Sequence, residues 1–349
     1  MSQYPCEFVM ASTVYFSDDL KHIRETAADY FRIIAKDFNG GPVGLKVHFG
    51  EGGNKTHIKP GWLKDANKIL KDPVFVECNV MYRGHRTIRA DHIETAKKHG
   101  FGFLPIDILD GNMGEDSIDI PVNIGRTKTA KLGGGLARYD KLVAVTHFKG
   151  HMMCGFGGAL KNVGMGLGSR PGKMDMHALI SPIVNGKKCV ACGTCVSDCP
   201  VNAITLGKVA AIDSGKCIGC AHCIAVCPQR AIDIPWNMSN EMNQILMEKI
   251  AEYAYAATRG RRWWYINFIT DLTYDCDCMG FDQKKFMGDV GVLLSRDPVA
   301  ADQASLDLVK KKYGKDPFIE KHGVDGQQIL AYAEKIGLGS REYELKTPK

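Results

Sequence analysis

The sequence predicts an α/β protein whose central sheet is mostly parallel and covered by helices, with a small α+β unit inserted into it. Short apolar runs of strand length alternate with segments of helical periodicity before a cysteine-rich stretch, and the same alternation resumes after it. Alternation of strands and helices is typical of a sheet covered by helices. The cysteine-rich stretch is therefore predicted to interrupt one α/β domain rather than to follow it.

Four apolar runs before the cysteines have the length of buried strands and are bounded by Gly, Pro or Asp: residues 42–49, 73–80, 103–109 and 141–148. Residues 17–38 are predicted to form a helix, because their apolar residues recur at helical spacing, with Ser17 as the N-cap. A second helix is predicted to end at Gly100.

After the cysteines, residues 263–275 and 291–295 are predicted strands, and residues 241–260 and 324–337 are predicted helices. Asp297 and Pro298 begin a further helix that runs to Gly314. Turn-rich segments, where insertions are tolerated, flank the cysteines. The predicted organisation is residues 1–184 as the first part of the α/β domain, 185–236 as the insert and 237–349 as the second part.

The run C-x2-C-x2-C-x3-C-P occurs twice in residues 189–228. Two-residue gaps let a tight loop point three thiolates at one cluster, while the fourth cysteine lies too far along and ligates the other cluster. The spacing therefore predicts two [4Fe-4S] clusters, the first held by Cys189, Cys192, Cys195 and Cys227 and the second by Cys217, Cys220, Cys223 and Cys199. Two structural zinc sites are the alternative, but they leave the third cysteine and the Cys-Pro of each half without a use.

The insert resembles the bacterial two-cluster ferredoxins in these two runs. The resemblance implies electron transfer with an external carrier such as a free ferredoxin or flavodoxin. Residues 185–235 contain five Lys or Arg against three Asp, so complementary charge would steer an acidic carrier to this surface. Solvated lysines without a role are the alternative.

Four further stretches are similar to the domain-of-unknown-function 362 family in the form that carries a two-cluster insert: residues 46–54, 146–166, 276–278 and 288–307. Together they extend over most of the chain. The resemblance implies no particular reaction, because that family is defined by sequence. No reaction can therefore be transferred from the family to this chain.

The first candidate site follows the predicted strand at residues 141–148. Its candidate catalytic residues are His147, Lys149, His151 and Cys154. Ligands bind at the carboxyl ends of parallel strands, and glycine lets backbone amides approach an anion closely. The glycine-rich turn that comes next is therefore a candidate binding site for a phosphate or carboxylate of an anionic small molecule, through Gly155, Gly157, Gly158 and Lys161.

The second candidate site is the DCDC run at residues 275–278. On an extended chain the side chains of Cys276 and Cys278 would point the same way, so the pair is a candidate third metal site or a redox-active pair and completes the catalytic set. Two buried apolar cysteines are the alternative. His48 also follows a predicted strand, and His85 with Arg86 would suit an anionic substrate. Asp297 and Asp302 are candidate acid-base or metal groups, although an N-cap role suffices for Asp297.

The composition is that of a soluble globular protein, with 349 residues, 45% of them hydrophobic and 24% charged. No stretch approaches a membrane span, and no basic helix or aromatic platform indicates nucleic-acid binding. The first residues lack a secretory signal, and iron-sulfur centres belong to reducing compartments, so a cytoplasmic location in an anaerobic host is expected.

Two clusters beside a larger α/β domain predict an oxidoreductase that passes electrons to a site on that domain. The alternatives are a non-enzymatic electron-transfer or iron-sulfur/metal maturation factor, and a binding protein whose clusters are structural.

Overall fold

The computed structural model describes residues 11–177, 181–235 and 239–348. The strands in these ranges are β1 (Ser12–Ser17), β2 (Val43–Val47), β3 (Pro73–Glu77), β4 (Ile106–Ile108), β5 (Ser117–Ile124), β6 (Thr127–Gly133), β7 (Lys141–His147), β8 (Lys149–His151), β9 (Gly155–Gly157), β10 (Ile183–Val184), β11 (Ile204–Leu206), β12 (Ala210–Ile212), β13 (Ile232–Asp233), β14 (Arg262–Ile269), β15 (Gly291–Ser295) and β16 (Tyr343–Lys346).

The α-helices in the same ranges are α1 (Ile23–Asp37), α2 (Ala66–Ile69), α3 (Arg89–Lys98), α4 (Ala159–Leu167), α5 (Arg170–Met176), α6 (Thr194–Ser197), α7 (His222–Val226), α8 (Asn240–Thr258), α9 (Pro298–Tyr313), α10 (Pro317–His322) and α11 (Gln327–Lys335). Short 3₁₀ helices span Pro60–Leu63 and Gly134–Arg138.

Eight strands form the central sheet in the order β16-β1-β15-β14-β7-β2-β3-β4. Every neighbouring pair is parallel except the two made by β15, which runs antiparallel to β1 and β14. The prediction of an α/β protein with a mostly parallel sheet is confirmed. Because the parallel strands share one direction, their carboxyl ends meet at one edge of the sheet.

The central strands are mostly apolar because both faces of the sheet are covered. On β7, Leu142 and Ala144 pack into one hydrophobic cluster with α4, α8, α9 and α11, while Val143 and Val145 pack into a second cluster with α1, α2 and α3. Strands buried on both faces have nearly continuous hydrophobic sequences. This pattern predicts β2, β3, β7 and β15.

Helix ends follow the predicted signals in most places. Asp297 caps α9 by accepting hydrogen bonds from the amides of Val299 and Ala300 at 2.8 and 3.1 Å, and Gly314 ends the helix with a φ of +91°. The N-cap predicted for the first helix is wrong. Ser17 is the last residue of β1, and α1 begins at Ile23. Pairing of β1 with β15 keeps the chain extended through Ser17.

The cysteine-rich segment, residues 181–235, folds around a hydrophobic cluster that also includes Met81 and Met174 of the body, and it repeats itself after 28 residues. The pair Ile204 and Ile212 in the β11–β12 ladder corresponds to Ile232 and Val184 in the β10–β13 ladder. Left-handed backbone conformations recur at the same separation, at Ala191 and Gly219, Gly193 and Ala221, and Asn202 and Arg230. Strand pairing begins at Ile183, and the second predicted boundary, between residues 236 and 237, lies outside the described residues.

None of the described helices combines the length and the apolar character needed to cross a membrane.

Candidate functional site

Four parallel strands deliver polar side chains to the same edge of the sheet. His48 directly follows β2, Tyr82 lies in the loop after β3, His147 ends β7, and Cys276 lies in the loop after β14. Ligands of open α/β sheets bind at this edge. The stretch at residues 147–154 and the DCDC run, which are far apart in sequence, therefore meet in space.

A cavity of about 110 Å³ opens among these loops. It is lined by His48, Val80, Met81, Tyr82, Arg86, His151, Met153, Lys161, Met165, Lys173, His177, Leu246, Cys276 and Cys278. The lining combines two thiols, three imidazoles and three cationic side chains with apolar residues, the mixture expected of a small-molecule site.

A turn, not an extended strand, carries the two thiols. The amide of Met279 donates to the carbonyl of Cys276 at 3.0 Å, which folds the chain back on itself. The expected extended chain is wrong because β14 ends at Ile269. The turn still brings the two thiols to the same place, since Cys276 and Cys278 line the same cavity.

Asp277, between the two cysteines, anchors the turn to the sheet. Its carboxylate lies 2.8 Å from Nδ1 of His147 and 3.7 Å from Nζ of Lys149, and it accepts a hydrogen bond from Oγ1 of Thr56 at 3.3 Å. The other ring nitrogen of His147 lies 2.8 Å from the carbonyl oxygen of Thr270. Burial acts to raise the pKa of Asp277, but His147 and Lys149 outweigh it and hold the pKa below its usual range.

The two thiols have opposite acidities. The hydrogen bond from Cys278 lowers the pKa of Cys276 well below its usual value, and Lys161 supports this with Nζ 3.9 Å from Sγ of Cys276. The same hydrogen bond raises the pKa of Cys278. Burial acts to lower the pKa of Lys161, but Cys276, Cys278, Cys154 and Asp277 together outweigh it and the pKa is raised. Cys276 is therefore the more acidic of the two thiols.

The imidazoles of the cavity are neutral. Burial, reinforced by nearby cations, lowers the pKa of His48 and His151 well below the usual value and that of His177 to about 3. Arg86 is fully buried and binds Glu51 through Nε at 3.2 Å. Nζ of Lys173 donates to the carbonyl of Gly168 at 2.6 Å. The lining thus contains three basic side chains, Arg86, Lys161 and Lys173, and no carboxylate.

The predicted catalytic residues divide into three groups. His151, Cys276 and Cys278 line the cavity, whereas His147 and Lys149 hold Asp277 behind it. Cys154 is fully buried in the apolar core, where burial raises its pKa to about 12.

Most of the glycines of the glycine-rich turn, and the backbone amides that follow them, contact other parts of the protein. The amides of Ala159 and Leu160, which begin α4, donate to the carboxylate of Asp302 at 2.6 and 2.9 Å. Gly158 faces this carboxylate, Gly155 packs against the backbone of Gly326, and Gly157 lies beside Lys149 and Lys161. Of the four predicted anion contacts, Lys161 lines the cavity. Asp302 thus occupies the start of α4, and burial raises its pKa to about 6.

The sequence did not predict that Tyr82, Lys173 and His177 line the cavity. Tyr82 had a usable signal, because it follows the predicted strand at residues 73–80. Lys173 and His177 lie on or next to the short helix α5, which no periodic pattern marks, and only tertiary packing brings them to the cavity.

The eight cysteines of the segment form two groups. Cys189, Cys192, Cys195 and Cys227 line one cavity, and Cys199, Cys217, Cys220 and Cys223 line another. Each group thus takes three cysteines from one run and the fourth from the other. Within residues 11–177, 181–235 and 239–348, no three His, Cys, Asp or Glu side chains converge closely enough to hold a single metal ion.

The segment meets the α/β body beside the cavity at the carboxyl edge of the sheet. Nη1 of Arg83 donates to the carbonyl of Ala225 at 2.6 Å. Two adjoining cavities continue from the first one: one is also lined by Ala225 and Arg230, and the other by Asp233. Tyr82 and Cys278 line all three cavities. Cys278 therefore lies between the cavity and the segment.

Comparisons with known proteins give a family but no activity. No curated protein matches the chain. The lactate racemase apoprotein from Thermoanaerobacterium thermosaccharolyticum is 11% identical with a TM-score of 0.37, and the match covers 77% of this chain and 53% of that one. A Thermotoga maritima protein is 12% identical with a TM-score of 0.42, and the match covers 85% of this chain and 60% of that one. The chain thus spans under two thirds of both proteins.

Residues 43–307 match the family described as a domain of unknown function, DUF362. This range includes the cysteine-rich segment and the loops after β2, β3, β7 and β14 that form the cavity. Because the match covers most of its length, the chain belongs to the DUF362 family.

Proposed function

We propose that the protein is an iron-sulfur oxidoreductase that passes electrons through two [4Fe-4S] clusters to a substrate in the cavity at the carboxyl edge of the sheet. The observation that carries the proposal is the division of eight cysteines into two groups of four, each lining its own cavity. Each group crosses between the two runs, as in ferredoxin-like modules with two clusters.

The residues around the thiols fit such clusters. The amide of Ala203 points at Sγ of Cys199 at 3.2 Å, and the amide of Ala231 points at Sγ of Cys227 at 3.3 Å. Hydrogen bonds from amides to sulfur stabilise cluster thiolates and tune reduction potentials. When bound, the clusters would supply one-electron transfer. Cys189, Cys192, Cys195 and Cys227 would hold the first, and Cys217, Cys220, Cys223 and Cys199 the second.

The cavity favours an anionic small molecule as substrate. Lys161, Lys173 and Arg86 line it. Of these three cations, Arg86 is the one that pairs with the carboxylate of Glu51. The neutral imidazoles of His48, His151 and His177 can donate or accept one hydrogen bond per nitrogen. The small volume limits the enclosed part of the substrate to a few heavy atoms.

An external electron carrier, such as a ferredoxin or flavodoxin, would dock on the outer face of the segment. Val190 and Ile218, each next to the first cysteine of its run, are 62% and 57% exposed. The surrounding basic residues suit an acidic carrier. The proposed location is a reducing compartment such as the cytoplasm, where thiolate clusters persist.

Anaerobic purification with metal and sulfide analysis tests the cluster proposal. About eight irons per chain are expected, four for each cubane cluster, together with an electron paramagnetic resonance signal after reduction. A Cys78→Ser variant, altered at a buried cysteine of the body, should retain all of the iron. Zinc, or no metal, in the purified protein would refute the proposal.

A substrate screen then separates the enzyme from its rival, a non-enzymatic electron-transfer or maturation factor. Oxidation of reduced viologen is followed in the presence of small carboxylates, phosphates and sulfur oxyanions. The enzyme predicts that one class accelerates oxidation and that Lys161→Met abolishes the acceleration while the iron content is unchanged. Transfer of iron or electrons to another protein, with no response to any anion, would favour the rival.

A further inference from the structure

We propose that Cys276 and Cys278 form a dithiol/disulfide couple that stores an electron pair between the one-electron centres of the cysteine-rich segment and the substrate in the cavity. The proposal rests on the function proposed above and specifies how its site works. One-electron centres deliver electrons singly, whereas most small anions are reduced by electron pairs. A couple that accumulates two electrons would resolve this mismatch.

The geometry of the turn supports a redox pair. Cys276 and Cys278 lie on one turn and line the same cavity, and each is close enough to shift the pKa of the other. Asp277 points the opposite way and is fixed by His147, which leaves both sulfurs directed toward the cavity. Among the described residues, no third His, Cys, Asp or Glu converges with the two thiols closely enough to hold an ion with them. The arrangement therefore favours thiol chemistry over a third metal site.

The position of the pair supports a role between the segment and the substrate. Cys278 lines the cavity at the carboxyl edge of the sheet and both cavities that adjoin the segment. The hydrogen bond from Arg83 to Ala225 lies beside Cys278. Ala225 is two residues after Cys223, which lines the second of the two cavities formed by the segment's cysteines. Electrons that enter the body along this contact reach Cys278 first. Cys276 lies deeper, next to Lys161.

The first step is reduction of the disulfide. The S–S bond between Cys276 and Cys278 breaks when it takes up two electrons and one proton. The electrons come one at a time from a low-potential one-electron carrier such as a reduced ferredoxin, and the proton goes to Sγ of Cys278. Cys276 is left as a thiolate facing the Lys161 ammonium. In the return step the substrate, an anionic two-electron acceptor, takes the electron pair and the proton, and the S–S bond forms again.

Thiol trapping of the full iron-loaded chain tests the couple directly. Trypsin releases both cysteines in one peptide, residues 263–284. After mild oxidation with diamide and treatment with N-ethylmaleimide, this peptide is expected to carry no label and to lack two hydrogens. After anaerobic addition of reduced methyl viologen it should carry two labels. The Cys78→Ser and Cys154→Ser variants should behave in the same way.

Electron counting gives a second readout. In an anaerobic viologen titration, the oxidised wild type should take up two electrons more than a Cys278→Ser variant of equal iron content, because one S–S bond stores one pair. Arg83→Met should slow the viologen-driven reduction of the peptide but not its reduction by dithiothreitol, whereas Lys208→Met, which removes an exposed cation of the segment, should change neither. Equal rates for Arg83→Met would refute the route.

The two proposals fail in different ways. Absence of iron refutes the cluster proposal, whatever the thiols do. Iron at full content that is reduced by viologen, with a peptide that is always labelled twice or an electron count equal to that of Cys278→Ser, refutes the couple and leaves the clusters standing. A peptide protected from labelling without the loss of two hydrogens would also refute the couple, because a bound metal would then be the cause.

Discussion

Nδ1 of His147 lies 2.8 Å from Oδ2 of Asp277, and this contact ties the end of β7 to the turn that carries the two thiols of the cavity. Both side chains are almost completely buried. The sequence places them 130 residues apart, so the contact exists only because β7 and β14 are neighbours in the sheet. His147 thus acts on the site by positioning Asp277 and the cysteines on either side of it.

Asp277→Asn should destabilise the protein by about 3 kcal/mol, because removal of one charge from a buried pair leaves the partner uncompensated. Urea unfolding measures the change. The matched control is Asp275→Asn, two residues away and partly exposed, which should change the free energy of unfolding by less than about 0.5 kcal/mol. Equal stabilities for the two variants would contradict the anchoring role of Asp277.

Lys161→Met should slow the alkylation of Cys276 by iodoacetamide at pH 7. The pKa of Cys276 is lowered first by the hydrogen bond from Cys278 and then by Lys161, so loss of the ammonium raises the pKa and reduces the thiolate fraction at a given pH. The rate profile should move to higher pH, and Lys161→Arg should move it less. A profile unchanged in Lys161→Met would exclude Lys161 as a partner of the thiolate.

Two double variants should distinguish the cysteine groups. Cys189→Ser with Cys227→Ser removes two ligands of one cluster and should leave about four irons per chain. Cys189→Ser with Cys199→Ser removes the same number of thiols but one from each group, and should leave almost none. Iron analysis with electron paramagnetic resonance measures both. The reverse result would mean that each run holds its own cluster.

His177→Gln should make the protein less sensitive to acid. The pKa of His177 is about 3 in the folded protein and near 6.5 when unfolded, so between these values only the unfolded chain binds the proton. Stability therefore falls as the pH drops from 6.5 toward 3, by up to about 1.4 kcal/mol per pH unit from this residue. Urea unfolding at pH 7 and pH 5 should show a smaller difference in the variant than in the wild type.

Gly164→Ala should destabilise the protein by about 1–3 kcal/mol, as overpacking in a closed interface does. A β-carbon at this position would lie 2.1 Å from the carbonyl oxygen of Ile250, so α4 and α8 would have to separate. Gly61→Ala is the control, since nothing lies within 4 Å of a β-carbon there. Thermal unfolding should separate the two variants.

The sequence predicted the central strands because burial on both faces leaves a continuous apolar run, as in β2 and β7. It did not predict β1, whose pairing with β15 is a tertiary effect, or the hairpin of β5 and β6, whose residues alternate in exposure outside the central sheet. The first helix was predicted to start too early for the same reason, since local capping signals compete with strand pairing at Ser17.

Site residues are predictable from the sequence where they lie at or shortly after the end of a predicted strand, as His48, His151 and Cys276 do. Position after a strand did not reveal which way a side chain points, and for this reason His147 was expected in the cavity but lies behind it. Lys173 and His177 reach the cavity through the packing of α5, for which no local pattern exists.

The antiparallel pairing of β10 with β13 places the beginning and the end of the cysteine-rich segment side by side. The points where the chain enters and leaves the segment are therefore neighbours, and along the chain the segment is a closed excursion. In its packing it is not separate, because Met81 and Met174 of the α/β body belong to the same hydrophobic cluster. Removal of the segment would therefore expose apolar side chains of the body.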